Sequence, residues 1–166
     1  MNAVWTDLLA EAGALHDSTP ELSAFCPFPE VTPGEDIEPK IDPLCDRFRQ
    51  DDTLTGPFSA FQTACANAAP YAQWRDTYRD TCIGDVLHAH FGTFEILGRD
   101  TPLKADAMRS FLIYQRPGYH YPLHHHPAEE IYLILAGEAD FEVDGDATQR
   151  LGPGDTAYHP SNAPHA

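Results

Sequence analysis

The spacing of a few histidines and one glutamate constrains this chain more than any other feature. Gly118 is followed by five residues, then His124, one residue, His126, three residues, Glu130, six residues and Gly137. Further on, Gly154 is followed by five residues, Pro160, one residue, Asn162, two residues and His165. Six of the nine histidines lie between His120 and His165. On a strand, residues two apart face the same side. His124 and His126 therefore point together, Pro127-Ala128 allows a bend, and Glu130 comes from the start of the next strand. His165 arrives from a distant hairpin and completes the set. Three imidazoles and one carboxylate suit one divalent ion such as Zn, Fe, Mn, Co or Ni, and the residues do not choose among them. His125, between two of the ligands, is expected to face outward. His88 and His90 repeat the alternate spacing, but no carboxylate follows at the matching distance, so they read as ordinary strand or surface residues.

The rest of the chain has two textures. Residues 1–85 look helical and irregular. Val4, Trp5, Leu8, Leu9 and Leu15 recur at helical spacing, which predicts an amphipathic helix over 3–16. Thr19-Pro20-Glu21 has the order of a helix start. Prolines from Pro27 to Pro57 predict extended wrapping. Phe58–Ala69 and Tyr71–Arg79 read as two helices, with Trp74 and Tyr78 on one face of the second. Residues 86–166 have strand texture. Runs over 94–97, 110–115, 130–135 and 139–143 are separated by turn signals at Asp144-Gly145 and at 152–155. Short antiparallel strands of this kind predict a mainly β sandwich or small barrel.

The chain has 166 residues, enough for one domain, and a formal charge of −16. That surface repels nucleic acid and anionic membranes, which excludes both as partners, and weakly favours a cationic or zwitterionic ligand. The first 16 residues carry no basic side chain and contain Asp7 and Glu11, unlike a secretory signal. No apolar run approaches membrane-spanning length. Cys26, Cys45, Cys65 and Cys82 form no C-x-x-C pair and read as reduced thiols, so a cytoplasmic location is expected, although sequence alone does not exclude a disulfide.

The two spaced motifs resemble those of the cupins. The first, G-x5-H-x-H-x3-E-x6-G, is filled at every fixed position. The second departs only at Asn162, where that family usually has Gly. Asn is the next-best residue for a left-handed turn, so the change is mild. The resemblance implies a cupin (double-stranded β-helix, or jelly-roll) barrel over 86–166, preceded by a helical region over 1–85 that packs on it. Such a barrel places the second-motif histidine on a strand with further strands after it. Here His165 is penultimate. The barrel is therefore expected to lack its last strands, leaving an open edge, unless a longer polypeptide or a second copy of the chain in a homodimer completes it.

Two tyrosines narrow the chemistry. Tyr132 lies two residues after Glu130 and faces the same side, with Cα atoms roughly 6–7 Å apart. Tyr121 lies three residues before His124. The competing reading for each, weaker for Tyr132 than for Tyr121, is a core aromatic with a hydrogen-bonded hydroxyl. The run from Tyr121 through His-His-His-Pro-Ala-Glu-Glu to Tyr132 and Gly137 resembles the cupin dimethylsulfoniopropionate (DMSP) lyases of marine bacteria. The likeness is strong from Gly118 to His165 and looser before that. It implies a lyase that cleaves DMSP to acrylate and dimethyl sulfide. It also implies His124, His126, Glu130 and His165 as metal ligands, Tyr132 as catalytic base and Tyr121 as a second pocket tyrosine. A sulfonium prefers aromatic surroundings, for which Tyr121, Tyr119, Trp74 and Tyr78 are candidates. The same ligands also serve an Fe(II) dioxygenase acting on a small thiol acid, or a cupin that only binds a small ligand.

Overall fold

Asn2 starts the first helix: its side chain accepts the Val4 N–H at 3.0 Å, satisfying one of the donors that a helix start leaves unpaired. The structure is a computed structural model that describes residues 2–75, 84–143 and 145–166, with backbone alone for residues 84 and 85. The chain divides into two compact units, 1–51 with 60–119, and 52–59 with 120–166. The division thus falls at Tyr119/His120 and not at 85/86, where the sequence texture changes.

In the first unit, α1 (Ala3–Ser18) buries Trp5, Leu8, Ala12 and His16, one stripe at three- and four-residue spacing. It runs two residues past the expected end. The next helix, α2 (Pro20–Phe25), has Pro at its first position, as Thr19-Pro20 predicts. The third, α3 (Pro43–Gln50), begins with Asp42 accepting the Leu44 N–H at 2.8 Å and buries Leu44, Cys45 and Phe48. The fourth, α4 (Ser59–Ala68), buries Phe61, Ala64, Cys65 and Ala68 and passes into a single 3-10 turn over Ala69–Tyr71. Pro70 cannot donate a backbone hydrogen bond, which limits continuation of the helix.

The helix expected over Tyr71–Arg79 is corrected. Beyond the 3-10 turn, the described part of that stretch is extended: Gln73 bridges to Lys40 and Trp74 to Phe94, and Arg75 N donates to Thr93 O at 2.9 Å. Trp74 is buried, its Nε1 donates to Ala69 O at 2.9 Å, and its ring lies 5.3 Å from that of Phe94. Tertiary burial of the indole thus overrides helical spacing. Tyr78 and Cys82 lie outside the described residues.

Helix α5 (Gly84–His88) carries His88 at its end, so His88 is helical and not on a strand. Four short strands complete this unit: β1 (Thr32–Pro33), β2 (Phe91–Leu97), β3 (Leu103–Lys104) and β4 (Ser110–Gln115). They pair antiparallel as β1 with β3 and β2 with β4. Every residue of β2 is buried, which groups this strand with the helices around it. His90 stacks on Tyr119 at 5.1 Å, with the two rings nearly parallel.

The second unit has four strands: β5 (Glu130–Leu133), β6 (Ala139–Phe141), β7 (Gln149–Leu151) and β8 (Thr156–His159). They pair antiparallel as β5 with β8 and β6 with β7. Gly152–Asp155 is the expected turn, with Asp155 N donating to Gly152 O and the Asp155 carboxylate accepting from Gly152 N, both at 2.9 Å. The loop at 52–59 packs closely, since a Cβ on Gly56 would sit 2.4 Å from Leu135 O. His165 is not on an open edge. It bridges to His124 on one side and to Val143 on the other, and Ala166 exchanges two 2.9 Å backbone bonds with Glu142. The expectation of an unpaired edge at this histidine is corrected: residues 142–143, a continuation of the β6 segment, supply the second neighbour.

Among the described residues, Cys26, Cys45 and Cys65 are free thiols. No described helix is long and apolar enough to cross a membrane.

Candidate metal centre

Backbone pairing brings the two spaced motifs together. His124 N donates to His165 O at 3.0 Å, and His165 N returns a bond to His124 O at 2.8 Å. Asn162 N donates to His126 O at 2.8 Å, and Ser161 Oγ to Pro127 O at 2.7 Å. Asn162 has φ 59°, the left-handed conformation that its motif position requires and that Asn tolerates. This turn carries the chain from β8 back to His165.

The side chains then converge. His124, His126 and His165 each present a ligand atom, all within 4.8 Å of one another, and Glu130, His159 and His165 form a second such group. Glu130 ties the two together, with Oε1 3.2 Å from His126 Nε2 and Oε2 3.8 Å from His165 Nε2. His124 Nδ1 lies 3.0 Å from Pro122 O, and His165 Nδ1 lies 2.8 Å from Ala163 O. Each of those imidazoles thereby donates Nδ1–H to a carbonyl and leaves Nε2 as a lone pair directed into the cluster, the orientation that metal-binding histidines use. His165 Nε2 and Glu130 Oε2 are buried and lack a hydrogen-bond partner among the described residues, as expected of donors that face an ion. The residues present therefore fit a divalent metal. His125 is exposed, as its position between two inward residues requires.

Electrostatics act in the same direction. Burial, then the neighbouring His165 and His126, pushes the His124 pKa down, against the hydrogen bond to Pro122 O. Burial and the surrounding His165, His124 and His126 bring His159 down to about 4. Both imidazoles are neutral at neutral pH, the form that binds metal.

Tyr132 faces the same cluster. Its Cα partner across the β5–β8 ladder is Ala157, whose small side chain leaves room for the phenol. The ring lies 5.1 Å from that of His159 and 5.6 Å from that of Phe141. Burial raises the Tyr132 pKa most, followed by the Glu130 charge, Tyr121 and a hydrogen bond to Glu130. Tyr121 stands edge-on to His124, with ring centres 4.7 Å apart. Trp74, in the first unit, is a core residue of that unit.

Sequence reasoning missed His159. It lies opposite Glu130 in the ladder and is 1% exposed. Its inward orientation shows only in the folded strand: along 156–159, Ala157 and His159 are buried while Tyr158 is exposed, the alternation of a strand with one inward face. A cleft of about 270 Å³ is lined by Phe141, Val143, Thr156, Ala157 and His159 among others.

Comparison with known proteins gives a consistent result. The family model of dimethylsulfoniopropionate lyases matches residues 35–166. The chain is 38% identical to dimethylsulfoniopropionate lyase DddQ of Ruegeria pomeroyi DSS-3 over 161 residues, covering 96% of this chain and 80% of that protein. It superimposes on the crystal structure of the same DddQ with a TM-score of 0.94, covering 99% of this chain and 84% of that one. A chain from the crystal structures of the DMSP lyases RdDddP and RnDddQII matches with a TM-score of 0.91 at 32% identity, covering 98% and 84%. On these matches, which extend over nearly its whole length, this chain is a lyase that belongs to the DMSP lyase family.

Proposed function

We propose that this protein cleaves DMSP to acrylate and dimethyl sulfide by a metal-dependent β-elimination, with Tyr132 as the base, on a cupin-type barrel. The observation that carries the reading is Tyr132 on the Glu130 face of β5, its ring 5.1 Å from that of His159, beside a histidine cluster suited to a metal. His124, His126, Glu130 and His165 would hold one divalent ion. When bound, such an ion supplies positive charge that polarises the substrate carboxylate and draws down the pKa of a nearby phenol.

The chain's own groups carry out the rest. Tyr132, as the phenolate, takes the proton from the carbon next to the carboxylate and becomes the neutral phenol. The C–H electron pair becomes the double bond of acrylate, the C–S bond breaks, and its pair leaves on sulfur as neutral dimethyl sulfide. The Tyr132 ring packs against His159 and Phe141, which limits the water that competes for the proton. Tyr121, edge-on to His124, offers a π surface to the sulfonium, worth roughly 0.5–2 kcal/mol. A net charge of −16 weakly favours the cationic end of a zwitterion over an anion.

Headspace measurement of dimethyl sulfide with parallel measurement of acrylate tests the reading. Equimolar products, formed without oxygen and abolished by a chelator, are expected. Absence of both products from metal-loaded protein would overturn it.

A further inference from the structure

Glu130 and His159 are Cα partners in the β5–β8 ladder, so their side chains lie on one face of the sheet. Ligand atoms of Glu130, His159 and His165 lie within 4.8 Å of one another. His159 is 1% exposed, and neither of its ring nitrogens has a hydrogen-bond partner among the described residues. Other buried imidazoles in this chain are satisfied differently: His16 Nε2 lies 2.9 Å from Cys26 O, and His165 Nδ1 lies 2.8 Å from Ala163 O. A buried polar group with no partner is costly, and such a group in a folded protein calls for a ligand, ion or water. The ring stands 4.2 Å from that of His165 and 5.1 Å from that of Tyr132, between a candidate ligand and the candidate base.

We propose that His159 is a further metal donor, binding the same ion as Glu130 and His165. The proposal rests on the metal-site reading above and adds a fourth imidazole to it. Its consequence is a site with five protein donors once the two groups, His124–His126–His165 and Glu130–His159–His165, draw together on one ion. That arrangement suits Fe²⁺, Mn²⁺, Co²⁺ or Ni²⁺ better than tetrahedral Zn²⁺, which takes four ligands in closed sites.

X-ray absorption of the Co²⁺-loaded parent protein tests this directly by counting imidazoles. Four imidazoles are expected; three imidazoles with a carboxylate would overturn the proposal and leave the metal-site reading intact. Failure of the parent to retain any metal would overturn both. In His159→Phe, whose ring keeps the packing against Tyr132 and Phe141, Co²⁺ affinity measured by chelator competition should fall on the order of 10–100-fold. The visible Co²⁺ spectrum should shift with the loss of one nitrogen. An unchanged spectrum and affinity in a folded His159→Phe, with its thermal transition retained, would overturn the proposal. Should that variant not fold, the imidazole count on the parent decides alone.

Discussion

Tyr132 and Glu130, two residues apart on β5, lie opposite Ala157 and His159 in the ladder, so their side chains share one face of the sheet. One face of a four-residue strand thus carries both a candidate metal ligand and a candidate base. Without a cation, burial and the Glu130 charge hold the proton on the phenol. Tyr132→Phe removes the hydroxyl and keeps the ring against His159 and Phe141. Metal content and folding should be retained while dimethyl sulfide production falls on the order of 10²–10⁴-fold. Turnover at the parent rate would move the base elsewhere, with Tyr121 the next candidate.

The metal reading predicts loss of binding on removal of single ligands. His126→Ala and His165→Ala should each retain well under one equivalent of divalent metal by elemental analysis after dialysis. The parent should retain about one, as for a single site. His125→Ala, on the exposed side of the same segment, should retain the parent amount. Full retention in both ligand variants would remove the site as described.

Asn162 sets the return of the chain to His165 through a φ of 59°. Asn162→Gly should preserve stability and metal content, because Gly reaches this conformation without strain. Asn162→Val should lower stability by about 1–2 kcal/mol, since a β-branched side chain clashes with the following carbonyl there. Denaturant midpoints of the two variants would separate these outcomes, and equal midpoints would argue against the turn as the point of strain.

Glu95 predicts a pH dependence outside the candidate site. It is 3% exposed, accepts from the Arg109 guanidinium, and takes the backbone N–H groups of Arg99 at 3.1 Å and Asp100 at 2.7 Å. Burial alone would raise its pKa, but the Arg109 hydrogen bond and the two backbone donors outweigh burial, and the net shift is downward. The folded protein therefore binds the proton less tightly than the unfolded chain. The resulting stability is complete above the unfolded carboxyl value of about 4.3 and is lost as pH falls through the lower folded value. Glu95→Gln should be less stable at neutral pH by roughly 1–3 kcal/mol. Its thermal midpoint should also fall less between pH 6 and pH 3 than that of the parent. Parallel acid profiles for the two proteins would contradict this role.

Sequence alone went far at some positions and failed at others. Five candidate site residues, His124, His126, Glu130, Tyr132 and His165, were legible because fixed spacings and the two-residue period of a strand are local properties of the chain. The helix start at Thr19-Pro20 was legible for the same reason, since such a start depends on a few adjacent residues. Trp74 was misread as helical because its four-residue spacing to Tyr78 is a local signal, and burial of its indole against Phe94 is not. His159 was overlooked because its importance comes from the residue across the ladder, Glu130, 29 positions earlier in sequence. Pairing on both sides of His165 likewise depended on the path of residues 142–143. Which donor types exist, and which of them alternate on a strand, is written in the chain. Which of them meet is decided by strand register and burial, which only the tertiary structure specifies.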